Sequence, residues 1–142
     1  MRDRDVVERL LRIELRAVEI YEEITGSGKL RGRAAEAADL FLVHERRHVA
    51  ALKEALAAMK APVPRPPAPR PGGDGTAREM IRAALDHELH CIRAYRSAQA
   101  TLKAPALLGS AAGVMANEAQ HLAVLRQLLG EQPVPVAFVT GR

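Results

Sequence analysis

Apolar residues recur at intervals of three and four along most of this chain, the period of an amphipathic helix. A first stripe, Val7, Leu10, Leu11, Val18, Tyr21 and Ile24, predicts a helix over about residues 5–25. Asp3 or Asp5 can cap its start, and Gly26-Ser27-Gly28 ends it. A second stripe, Ala34, Ala38, Phe41, Leu52, Leu56 and Met59, predicts a helix over about 33–60. A third, Ile81, Leu85, Ile92, Tyr95 and Leu102, covers about 77–102, with Thr76 as its cap and Lys103-Ala104-Pro105 as its break. The fourth, Leu107, Ala111, Val114, Leu125 and Leu128, covers about 106–129 and is closed by Gly130. Between them, 61–76 carries Pro62, Pro64, Pro66, Pro67, Pro69 and Pro71, which forbid a helix, and Gly72-Gly73-Asp74-Gly75 marks a turn. The tail, 131–142, holds Pro133 and Pro135 and an apolar run from Val134 to Val139; it is expected to lie extended against the helices or a partner chain.

Composition agrees with helices throughout. Ala, Leu, Glu and Arg, all good helix formers, dominate, and aromatic residues make up only 3% of the chain. Long runs of Val, Ile, Thr and aromatics are missing, so the expected class is all-α. The 142 residues form one expected domain, because either helical pair alone is too thin to bury its stripe. A polyproline segment of 15 residues at about 3.1 Å each reaches roughly 45 Å. That matches a helix of 28 residues, roughly 42 Å long at about 1.5 Å per residue. The Pro-rich stretch therefore crosses the length of a four-helix bundle of two antiparallel pairs and leaves the second and third helices parallel.

Each stripe is interrupted near its middle by an acidic residue. Glu14 stands in the first stripe, Glu45 and His48 in the second, Glu88 in the third, Glu118 and His121 in the fourth. The pattern is a repeat. Tyr21 follows Glu14 by seven residues and Tyr95 follows Glu88 by seven; Glu45 and Glu118 each begin a Glu-x-x-His. Corresponding residues lie 74 or 73 positions apart, as a duplicated helical hairpin leaves them.

Four glutamates brought together inside a bundle are costly as bare anions, through lost hydration and mutual repulsion. Two divalent cations balance four carboxylates. Residues i and i+3 face one side of a helix, so each Glu-x-x-His can serve a single ion. Glu14 and Glu88 then each serve one metal, while Glu45 and Glu118 can bridge. Mixed carboxylate and imidazole ligands suit iron or manganese, and less uniquely zinc.

With these residues in hand, residues 5–130 resemble the ferritin-like superfamily, in particular its rubrerythrin and bacterioferritin branch with Glu-x-x-His on two helices. The resemblance implies that Glu14, Glu45, His48, Glu88, Glu118 and His121 are di-iron ligands, with Tyr21 and Tyr95 hydrogen-bonding ligand carboxylates across the bundle. It further implies oxidation of ferrous iron by dioxygen or peroxide, a ferroxidase-like oxidoreductase. Departures from the branch limit this. Only 12 residues follow Gly130, so a cage-forming fifth helix is not expected, and a homodimer is. Arg46 occupies the position of a bacterioferritin haem methionine, so no haem is expected. Two rivals remain: a di-iron hydroxylase of an organic substrate, which needs an apolar channel to the metals, and a non-catalytic metal-binding or interaction bundle.

The remaining features narrow the picture further. Net charge is +4, but the arginines are spread through every helix among glutamates, which reads as solvated surface and not as a nucleic-acid site. Arg65 and Arg70 in the crossover read the same way. Cys91 alone excludes an internal disulfide and a Cys-x-x-Cys site; it is expected to be a small buried packing residue. No secretory pattern and no run of 18 apolar residues stands out, so a cytoplasmic protein without a membrane span is expected. His44 and His87, beside ligand positions, are expected to be partly exposed helix histidines, the alternative being that they stand behind the ligands or serve as transient iron sites, and His90 is expected to face outward.

Overall fold

In the computed structural model, which describes residues 2–70 and 73–142, the chain folds as four helices: α1 (Asp3–Gly26), α2 (Gly32–Ala58), α3 (Ala77–Gln99) and α4 (Pro105–Leu128). Among the described residues there is no strand. Pro71 and Gly72, part of the expected crossover and turn, lie outside the described residues. The all-α bundle read from the periodicity is the observed fold, with helix ends shifted by one to three residues.

Local chemistry accounts for those ends. Thr76 caps α3 reciprocally: the Glu79 N–H donates to its Oγ1 at 3.2 Å, and its own N–H donates to Glu79 Oε2 at 2.7 Å. Pro105 opens α4, where no N–H is needed. Gly130 follows α4 at φ +77°, the left-handed conformation a side chain resists. The first helix divides the roles expected of its aspartates. Asp5 accepts from the Arg2 N–H at 3.2 Å. Asp3 instead reaches the start of α4 and accepts from the N–H groups of Lys103 and Ala104, both at 3.0 Å. One carboxylate thus satisfies two otherwise orphaned donors at the start of α4 and ties it to the N-terminus of α1.

The helices pack as two hairpins, α1 with α2 and α3 with α4, set side by side so that α1 meets α3 and, more loosely, α2 meets α4. The first turns of α1 share an apolar cluster with the end of α3: Val7, Leu10 and Leu11 with Tyr95, Ala98 and Leu102. The opposite end joins Ile24, Ala38, Phe41, Met80, Ile81 and Leu125. This pairing makes α1 antiparallel to α3 and leaves α2 and α3 parallel, as the crossover length requires. The crossover is held along α1, where the Arg70 N–H donates to Glu19 Oε1 at 2.8 Å. Near its end, Lys29 Nζ donates to the carbonyls of Gly73 and Gly75, both at 2.6 Å.

The two apolar clusters plug the ends of the bundle, and the glutamates and histidines fill the layer between. The tail runs along α3 through several bends. The Arg82 guanidinium pairs with Glu131, and Arg93 donates to the Gly141 carbonyl. Gly141 is buried where a Cβ would stand 2.5 Å from the Leu89 carbonyl oxygen. Between these contacts Val134, Val136 and Phe138 remain exposed, Phe138 at 83%, so of the two positions expected for the apolar run, packing of the whole run against the bundle is not what is found.

The cross-helix role of Asp3 has a measurable consequence. Replacing it with alanine strips two N–H partners at once, so Asp3→Ala should cost about 1–2 kcal/mol in a urea melt. Thr76→Ala, removing one cap, should cost about 1 kcal/mol. Equal stability of Asp3→Ala and the parent would show that water replaces this carboxylate without loss.

Candidate metal centre

Helical period brings the six interrupting residues to one layer. Glu14, Glu45, Glu88 and Glu118 are each fully buried, His121 is 1% exposed and His48 is half-buried at the edge of the layer. One donor atom from each of Glu14, Glu45, His48 and Glu118 falls within a 4.8 Å set, and so does one from each of Glu45, Glu88, Glu118 and His121. Glu45 and Glu118 belong to both sets. Glu14 and His48 belong to the first set alone, and Glu88 and His121 to the second.

Within the layer His121 Nδ1 and Glu88 Oε1 meet as a hydrogen bond, and the other contacts are those of converging donors. His48 Nδ1 stands 3.1 Å from Glu118 Oε1, 3.3 Å from Glu14 Oε2 and 3.4 Å from Glu45 Oε2. His121 Nδ1 stands 3.1 Å from Glu45 Oε1, 3.2 Å from Glu88 Oε1 and 3.3 Å from Glu118 Oε2. A ring nitrogen carries at most one hydrogen and can satisfy one of three oxygens. Both oxygens of Glu14, Glu45 and Glu118 are buried without a hydrogen-bond partner. Orphaned buried carboxylates are costly, so the donor set fits cations placed among it. Metal–ligand bonds of about 2.0–2.2 Å place neighbouring donors about 3 Å apart, close to the separations found here.

Without metal, protons must carry the compensating charge. Burial disfavours the charge on His48, but the carboxylates of Glu118, Glu14 and Glu45 outweigh it and push its pKa up to about 12. His121 likewise overcomes burial through Glu118, Glu45 and Glu88 and rises to about 11. Burial first, then the charge of Glu45, pushes Glu14 up to about 8. Burial and the neighbouring Glu88 hold Glu118 well above the ordinary carboxylate range. Burial opposes the charge of Glu45 too, yet its contacts to His121, His48 and Glu14 bring it down to about 2. Two imidazolium groups and protonated Glu14 and Glu118 thus stand where two divalent ions would supply the same charge balance.

The surrounding side chains differ between the two halves. The Tyr21 hydroxyl donates to Glu88 Oε1 at 2.5 Å, crossing from α1 to α3. Its counterpart Tyr95 is held well above its ordinary pKa by burial and then by the neighbouring Glu14, yet its hydroxyl completes no hydrogen bond. His44 is half-buried, in keeping with the expected partly exposed histidine, and places Nδ1 3.0 Å from His121 Nε2, the alternative position behind a ligand residue. Its pKa is lowered by burial and then by the charges of His121 and His48, which keeps its ring neutral. Spacing did not reveal this contact: His44 precedes Glu45 by one residue, about 100° round the helix, and reaches the layer only because α4 lies across from it. His87 Nε2 meets the Ile13 carbonyl at 3.1 Å, outside the cluster, while His90 is exposed and Cys91 buried, as expected. The expectation for the crossover arginines holds as far as exposure goes.

Fold and site together define a four-helix bundle with a buried carboxylate–imidazole layer able to hold metal ions. The chain belongs to the ferritin-like family: the model of the ferritin-like domain matches residues 2–131. Among solved structures it is similar to a conserved hypothetical protein, Rv2844, from Mycobacterium tuberculosis, with 18% sequence identity, a TM-score of 0.82 and 96% of each chain covered. That likeness is one of fold. No curated protein matches the chain. Among the described residues, no helix is long and apolar enough to cross a membrane.

The proton balance sets a pH dependence for the metal-free protein. Glu14, raised from 4.5 to about 8, contributes stability that is full below pH 4.5 and lost as pH rises to about 8. His48 and His121, raised from 6.5, lose theirs as pH rises beyond that value toward about 12 and about 11. Glu45, lowered to about 2, works the other way, losing its contribution only as pH falls below 4.5. The metal-free chain should therefore melt at a higher temperature at pH 5 than at pH 8, and Glu14→Gln should flatten that slope. A melting temperature that climbs between pH 5 and pH 8 would contradict this charge balance.

Proposed function

We propose that the chain binds two iron ions in this layer and oxidises ferrous iron with dioxygen or peroxide, a ferroxidase-like or peroxide-handling activity. The observation that carries the reading is the sharing of Glu45 and Glu118 between two complete donor sets, each ending in its own glutamate and histidine. Four carboxylates neutralise two ferrous ions, so the substrate is held without a stranded charge. Oxidation adds one positive charge to each ion, two more than the four carboxylates balance, and the driving force comes from reduction of the oxidant, which consumes protons.

Bound ferrous iron supplies the electrons: two ions give one each, and peroxide takes both with two protons to form two waters. The chain's own groups do the rest. Glu45 and Glu118 hold the two ions as neighbours, Glu14 and His48 complete one side, and Glu88 and His121 the other. Tyr21 fixes the orientation of Glu88 through its hydrogen bond. The apolar plugs, with Leu10 and Leu11 on one side and Phe41 and Leu122 on the other, keep bulk water out of the layer. Protons displaced from the histidines and glutamates when iron binds leave by the half-buried His48 edge.

Manganese and zinc suit the same donors, and iron is preferred here because the reaction requires a redox change. A hydroxylase of an organic substrate needs an apolar route to the cluster. A cavity beside Tyr95, between Leu10, Leu52 and Val114, measures about 40 Å³, room for a few waters and not for an organic substrate. The larger groove of about 950 Å³ between α1, α3 and the crossover is lined by none of the six residues. The exposed apolar Leu40 and Val43 on α2 support a homodimer, and we read the compartment as cytoplasmic.

The test is an anaerobic ferrous titration of the metal-free protein followed by air or peroxide. Saturation at two irons per chain, with oxidation much faster than in buffer, is expected. Glu45→Ala with His48→Ala should remove both, because Glu45 belongs to both donor sets. Iron uptake by the parent no greater than by this double variant would overturn the proposal.

A further inference from the structure

The two halves of the layer come from a duplicated hairpin, yet their supporting contacts are unequal. A shift of 73 residues maps His44 onto Asn117 and His48 onto His121. His121 is 1% exposed, and its ring stacks on Phe41 with centroids 4.0 Å apart. Its Nε2 meets His44 Nδ1 at 3.0 Å, with the two ring planes 7° apart. The equivalent support for His48 is missing: Asn117 turns its amide nitrogen toward His44 Nδ1 at 3.5 Å and toward Gln120 Oε1 at 3.4 Å. The tyrosines repeat the inequality, with Tyr21 bonded to Glu88 and Tyr95 leaving Glu14 without a hydrogen bond.

We propose that His44 is a positioning residue that locks His121, so that the half-site of Glu88 and His121 binds metal first and tightly, and the half-site of Glu14 and His48 second and reversibly. The inference rests on the di-metal reading above. For His121 to offer the Nδ1 lone pair to an ion, its ring hydrogen must sit on Nε2. His44 Nδ1 is the acceptor for that hydrogen, and the Asn117 amide, also pointing a donor at Nδ1, is consistent with that acceptor role. The orientation of the His121 ring is then set before metal arrives, as is that of the Glu88 carboxylate through Tyr21. His48 must settle its ring on binding, which weakens its half-site. The half-buried edge at His48 is also where the second ion exchanges with solvent.

The test uses the full chain and Co²⁺ alone, followed by calorimetry and by visible absorbance, which reports each ion's ligand field. The parent should take up two ions in two resolved steps. His44→Ala should weaken the first step about 10- to 100-fold, the usual effect of losing a partner behind a metal ligand, and change the spectrum of that ion while sparing the second step. His44→Asn, whose carbonyl oxygen can stand near the lost Nδ1, should restore the first step; a purely structural role predicts no such rescue. His44 is half-buried and outside the donor sets, so all three chains should fold, which circular dichroism checks. Two ions bound in one indistinguishable step by the parent would overturn this inference and leave the di-metal reading standing. Equal weakening of both steps by His44→Ala would do the same. No Co²⁺ bound by the parent would overturn both.

Discussion

Four glutamates share one buried layer, and four negative charges cannot remain there uncompensated. Every other feature of the bundle answers to that constraint. Burial raises Glu14 and Glu118, while the surrounding carboxylates raise His48 and His121. Protons and cations thus compete for the same positions. The apolar clusters at either end make the competition severe, since they exclude the water that would otherwise screen it. A bundle built for stability alone would place leucines in this layer. The cost of keeping glutamates there is the physical argument that the layer is suited to hold cations.

The connection between the hairpins serves the same end. A pseudo-twofold axis through the layer needs α1 antiparallel to α3 and α2 antiparallel to α4. A short turn after α2 would send α3 back antiparallel to α2 and break that relation. The Pro-rich segment restores it by travelling the length of the bundle before α3 starts. Its backbone forms no regular structure, and it is held by a few contacts from Glu19 and Lys29.

Duplication makes the donor set symmetric, but divergence around it does not keep it so. His44 faces His121, whereas its mate Asn117 faces His44 and Gln120. Tyr21 completes a hydrogen bond that Tyr95 does not. Donors of the same type therefore differ in how firmly they are held before an ion could reach them. Unequal affinity from equal ligands is the expected result.

Much of this was legible along the chain. A helix repeats every 3.6 residues, so an acidic residue inside an apolar stripe must face the core, and Glu14, Glu45, Glu88, Glu118 and both Glu-x-x-His histidines declared themselves by position alone. The prolines of the crossover and the duplication of spacing then determined the topology. Contacts between helices left no such trace. Either Asp3 or Asp5 could cap the first helix, and it is Asp5 that does so while Asp3 reaches the start of another. His44 was legible as partly exposed, but not which residue it meets. The apolar tail leaves Val134, Val136 and Phe138 off the bundle. Period within a helix is a property of the chain, but which off-stripe residue meets which depends on crossing angle and axial shift between helices. Only the assembled tertiary structure decides those.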